Sequence, residues 1–145
     1  MSTRKLGLLA ALIGGLWQNS LLAQNVPGGS DAQTRISKAS GLPLATIARM
    51  LSDCDADQQS MNFCAWRDRV EAEDALSITI ATWDKKSPAC KSAVSEQVAR
   101  WMHMRNRKCA ASPADGSGAL AEATGCQASM TLDYAQHFAP PAICR

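Results

Sequence analysis

All six cysteines of this 145-residue chain, Cys54, Cys64, Cys90, Cys109, Cys126 and Cys144, fall after residue 53. An even number in a short chain bound for an oxidising compartment reads as a disulfide framework. Six cysteines admit fifteen pairings, and spacing alone does not choose among them. A zinc site is the rival use of such residues, and it requires close pairs such as C-x₂-C or histidines at matching spacing. Here the nearest cysteines are ten residues apart, and the histidines are His103 and His137. The pattern predicts bridges, with no metal and no cofactor.

The oxidising compartment is itself predicted by residues 1–23. Arg4 and Lys5 precede an apolar, glycine-interrupted stretch from Leu6 to Leu16, and Ser20-Leu21-Leu22-Ala23 gives way to polar Gln24. A basic start, a short apolar core and a small residue at the boundary make a secretory signal peptide cut after Ala23. As a membrane anchor the core is too short, since a span needs about 20 residues, and Gln18-Asn19 interrupts it. The protein is expected in the periplasm or outside the cell, with no membrane span after cleavage. Removing Arg4 and Lys5 takes the 15 basic residues to 13, against 13 acidic ones. A neutral chain lacks the basic excess through which nucleic-acid binders release counterions, so that partner class is set aside.

Residues 24–41 are rich in Gly, Ser, Asn and Gln and hold few large apolar groups, which predicts a flexible leader. The folded domain is expected over 42–145. Pro43 stands where a first helical residue would, and Leu44, Ile47, Ala48 and Leu51 follow at helical spacing to about Ser52. A long central helix is predicted from Gln58 to Trp83, with Met61, Ala65, Ala72, Ala75 or Leu76, Thr79 or Ile80, and Trp83 on one stripe. Ser77-Ile78-Thr79-Ile80 is β-branched but too short to override the surrounding pattern. Ser87 before Pro88 reads as an N-cap for a helix to about Cys109, whose inner face carries Cys90, Val94, Val98 or Gln97, Trp101 and Arg105. Ser112 to Gly118 reads as a loop. A last helix over about Leu120–Phe138 ends before Pro140-Pro141, with Gly125 leaving its start open. The expected fold is all-α, a small disulfide-stapled helical bundle. With two Phe and one Tyr its core is thin, the situation in which bridges help most.

Few residues carry a chemical signature. Asp53-x-Asp55-x-Asp57 opens like a calcium loop, but the sixth and twelfth positions hold Gln58 and Cys64 in place of Gly and Glu. Near a helix start, such carboxylates read first as solvated groups favoured by the helix dipole. Neither His103 nor His137 stands beside a nucleophile motif, and no G-x-S-x-G occurs. Gly116-Ser117-Gly118 lacks the preceding strand and following Lys of a phosphate cradle. The chain is expected to bind, not to catalyse, and no catalytic residue is assigned.

Charge is unevenly placed. Seven acidic residues lie between Asp53 and Asp74, and seven basic ones between Lys85 and Cys109. Complementary neighbouring helices explain this simply; the sharper alternative is that the acidic end near Cys54 meets a basic partner.

Cys54-x₉-Cys64 with Met61-Asn62-x-Cys64-Ala65 inside it, Ala72-Glu73-x-x-Leu76, Trp101-x₃-Arg105-x₃-Cys109, a Gly/Ser loop, Cys126 and Thr131 follow in an order that resembles the LprI-type domain, a family named for a bacterial lysozyme inhibitor. The resemblance covers about residues 54–138. It departs from the family pattern at Glu73, Ser77, Ile78 and Asn106, and Cys90 and Cys144 are additional, which marks a divergent member. The resemblance implies an exported helical domain with bridges Cys54–Cys64 and Cys109–Cys126, the two additional cysteines then forming the third. It also implies a protein partner, a lysozyme-like cell-wall glycosidase whose cleft the domain covers. An immunity protein against a cognate toxin is the alternative, and a cell-envelope hydrolase a distant third. Asp53, Asp55 and Asp57 are candidate partner-binding residues. Trp101 and Arg105 share a helical face and are read first as internal, with the Trp packed and the Arg satisfied by a carboxylate such as Glu73; the alternative makes the pair partner-binding anchors.

Overall fold

The computed structural model describes residues 27–110, 116 and 118–145. The predicted signal peptide, leader residues 24–26 and most of the Ser112–Gly118 loop lie outside the described residues. The described chain is all-helical, as the periodicity predicts. It comprises α1 (Pro27–Ser40), α2 (Leu44–Ser52), α3 (Gln58–Asp84), α4 (Pro88–Lys108) and α5 (Ala119–Gln136), followed by a 3₁₀ turn over Ala142–Cys144.

The long central helix is α3, whose 27 residues span about 40 Å at 1.5 Å per residue. All four other helices pack on it. That placement corrects the single apolar stripe expected along it: Met61 is exposed, and the buried Ser60, Cys64, Val70, Ala72 and Leu76 face different neighbours. A helix covered from several sides needs no one-sided pattern. Asp57 caps its start, its Oδ1 accepting the Ser60 N–H at 2.7 Å. On α4 the prediction holds, with Pro88 in the first turn and Ser87 Oγ accepting the Cys90 N–H at 3.1 Å.

The helix α1 corrects the reading of 24–41 as a flexible leader and of residue 42 as the domain start. Ala32 and Ile36, four residues apart, are both fully buried against Ile47 of α2 and Val70 of α3. Arg35 pairs with Asp74 of α3. Composition misled because two well-placed apolar residues suffice when neighbouring helices provide the rest of the core. Gly41 ends α1 at φ 72°, with its N–H on the Ser37 carbonyl at 3.0 Å, a left-handed cap that glycine adopts without strain. On α2 the buried face is Ile47 and Met50, not the predicted Leu44 and Ala48.

Hydrogen bonds join Arg69 to Gln127 and Thr79 to Ala135, so α3 and α5 run in the same direction, with α4 antiparallel beside them. Buried residues of α5 are small (Thr124, Ala128, Thr131, Ala135), as is Ala72 opposite, which lets the two backbones approach closely.

The bridges are Cys54–Cys64, Cys90–Cys144 and Cys109–Cys126, the pairing that the resemblance implies. The first fixes the α2–α3 turn. The third joins the end of α4 to α5, and the second clamps the 3₁₀ turn to the start of α4. The apolar interior forms two clusters along α3. One holds Ala32, Ile36, Ile47 and Val70, flanked by Phe63 and Trp66. The other holds Leu76, Cys90, Val94, Val98 and Ala135, flanked by Trp83, Trp101 and Tyr134.

Candidate functional site

Of the candidate partner-binding residues, Arg105 is withdrawn by its burial. It is 3% exposed. Its Nη1 donates to Thr131 Oγ1 at 2.8 Å and to Glu73 Oε1 at 3.4 Å, while Nε and Nη2 reach Asn106 Oδ1 at 3.1 and 2.9 Å. The guanidinium lies 5.5 Å from the centre of the Trp101 ring, which stacks on Tyr134 at 4.1 Å. This is the internal reading of the pair, including the Glu73 partner. A buried cation needs such partners, because leaving it unpaired is strongly unfavourable. Glu73 also faces Arg69, whose Nε is 3.8 Å from Oε1 and whose Nη1 reaches Gln127. Arg105 and Glu73 therefore serve the fold, and Trp101 serves it with them.

The acidic turn keeps its exposure but has local work. Asp53 Oδ1 accepts the Asp55 N–H at 3.1 Å, closing the turn. Asp57 caps α3, and the hydrogen bond from the Ser60 backbone holds its carboxyl below the usual carboxylate range, with a further contribution from the Ser60 side chain. Among the described residues none of the three carboxylates is in a salt bridge; Asp53 and Asp57 accept backbone N–H groups. The structure does not gather the three around a common point of contact. His137 pairs with Asp133 at 3.2 Å on the open surface, and His103 is exposed. Among the described residues, no three His, Cys, Asp or Glu are placed to hold a metal, and no helix is long and apolar enough to cross a membrane.

A different feature stands out on the surface. Along one side of the α3–α5 seam runs a cleft of about 500 Å³. Asp68 and Glu71 form its α3 rim, three residues apart and so on one face. Ala72, Gly125 and Ala128 form its floor, with Ser129 and Leu132 on the far wall. Leu132 is 44% exposed. Arg67 engages Asp68 Oδ1 at 2.7 Å, whereas Glu71 has no cationic partner among the described residues. A second depression of about 420 Å³ opens on the other side of the seam, where Leu120 faces Phe63 and Trp66.

The cleft was not anticipated from the sequence. Its one signal was Gly125, a glycine inside a helical pattern, which raises the question of a packing or functional reason. No family model, no curated protein and no solved structure matches the chain. The likeness to LprI-type domains therefore rests on the motif residues themselves.

Proposed function

We propose that this chain is an exported, non-catalytic domain that binds another protein, and that the partner is a basic cell-wall glycosidase of the lysozyme type, inhibited when the domain covers its cleft. The observation that carries the reading is the α3–α5 cleft. It combines an exposed apolar wall at Leu132 with a carboxylate rim at Asp68 and Glu71. Protein-binding surfaces join apolar contact to charges that steer the encounter, and an acidic rim suits a basic partner. The motif order shared with LprI-type domains points the same way. So does the state of the cleft's own carboxylates: Asp68 is engaged by Arg67, and Glu71 is left for an external cation.

The test is a titration of c-type lysozyme acting on cell walls with oxidised protein beginning at Gln24. Inhibition near equal stoichiometry, lost after reduction of the three bridges, is the expected result. An oxidised, folded sample that leaves lysozyme fully active removes the glycosidase as partner.

A further inference from the structure

Gly125 lies in the second turn of α5, inside a regular helix. Glycine there disfavours the helix relative to alanine, because its backbone has more freedom to lose. Two ordinary reasons would justify it, and neither applies. Its φ is not positive, so no left-handed backbone requires glycine. A Cβ built on it meets no atom within 4 Å, so close packing inside the fold does not require it either. What lies over Gly125 is the open cleft, which Glu71 lines from α3 and exposed Leu132 lines from α5, on the same face as Gly125. The helix thus carries its least favourable ordinary residue where a side chain would occupy the cleft and nothing else.

From this we infer, on the reading that the chain binds a basic protein, that the cleft seats a lysine or arginine side chain of the partner. Its aliphatic stem lies over Gly125 and against Ala128 and Leu132, and its charged end reaches Glu71 and the free side of the Asp68 carboxylate. Long cationic side chains divide in this way, with an apolar stem on apolar surface and the charge at the edge. Charge complementarity selects this occupant. No cationic side chain lines the cleft, Arg67 binds Asp68 from outside it, and Glu71 is unpaired among the described residues. An acidic peptide offers no comparable match.

The experiment uses ¹⁵N-labelled oxidised protein and, as probe, a short amphipathic peptide with lysine and leucine on one face. The same peptide with glutamate for lysine is the control. Amide shifts centred on Ala72, Gly125 and Ala128 are expected, with the Gly125 signal moving most. Glu71→Gln should weaken the lysine peptide about tenfold, as loss of one close charge pair does. Gly125→Leu should abolish the shifts by filling the cleft. Gly125→Ala should raise the melting temperature while weakening the peptide, a divergence that a purely structural glycine does not produce. Shifts centred on Phe63 and Trp66, equal binding of the glutamate peptide, shifts that depend on protein concentration alone, or indifference to all three substitutions would overturn the assignment. So would a lysine peptide that does not bind. Lysozyme inhibition measured on the same variants separates the two ideas: inhibition that survives in Gly125→Leu leaves the inhibitor reading intact and removes the cleft as its seat.

Discussion

Two glutamates two residues apart on α3 meet opposite surroundings. Glu73 faces inward between Arg69 and Arg105, and the cation it helps to neutralise also bonds Thr131 and Asn106. Glu71 faces the α3–α5 cleft, with an apolar wall across from it and no cation among the described residues. The first belongs to a buried polar network in which Arg105 is fully engaged while the buried Arg69 Nε has Glu73 only at ion-pair distance, and removing a member leaves the others exposed to a desolvation cost. The second contributes little to the fold and is free to interact outside it. Net charge cannot distinguish two such residues; only what the helices bring near them does.

The comparison is tested most severely on the side that belongs to the fold. Cys90–Cys144 closes a sequence separation of 54 residues around the C-terminal core. Replacing both cysteines with alanine should therefore lower stability by about 4 kcal/mol in the chain-entropy treatment. Chemical denaturation followed by helical circular dichroism reads that loss, and an unchanged midpoint would show that the tail clamp adds nothing. Arg105→Leu comes next, at about 3 kcal/mol, the lower end for breaking a buried pair because Glu73 is partly solvated. The same denaturation series measures it. A loss near zero would mean that Glu73 and Thr131 are satisfied without the guanidinium.

Asp57 offers a smaller test. Its folded carboxyl titrates below its unfolded value because the Ser60 N–H bonds the charged form. The contribution is fully present above the unfolded value of about 3.9 and is lost as pH falls through the folded one. Asp57→Asn keeps a capping oxygen and should flatten the acid limb of a stability–pH profile, whereas Asp57→Ala should also lower the plateau near neutrality. Identical profiles for wild type and both variants would exclude the cap. The smallest effect belongs to Glu71→Gln, which should shift stability by no more than about 0.5 kcal/mol, as surface changes usually do. A large loss in a thermal melt would place Glu71 with Glu73 in the fold.

Sequence periodicity was sufficient for α4, where a Ser-Pro start and an apolar residue every three or four positions coincide with burial. It was also sufficient for the extent of α3, but not for its inner face, because the pattern of a helix surrounded on several sides is not one stripe. The helix α1 was hidden in a Gly- and Ser-rich segment, since Ala32 and Ile36 acquire meaning only beside Ile47 and Val70. The internal role of Arg105 was readable from its spacing to Trp101, and Glu73 as a partner was readable with it. The cleft was not, because a depression between α3 and α5 depends on the two helices running side by side. Gly125 marked the place without revealing what lay over it.

The division of labour along α3 is tested most directly by measuring two properties of Glu71→Lys. Thermal melting of the oxidised protein should be nearly unchanged, while inhibition of c-type lysozyme should fall by more than about tenfold, since a like charge now faces the basic partner. A wild-type protein that does not inhibit, or a Glu71→Lys protein that inhibits as well as wild type, would contradict the account.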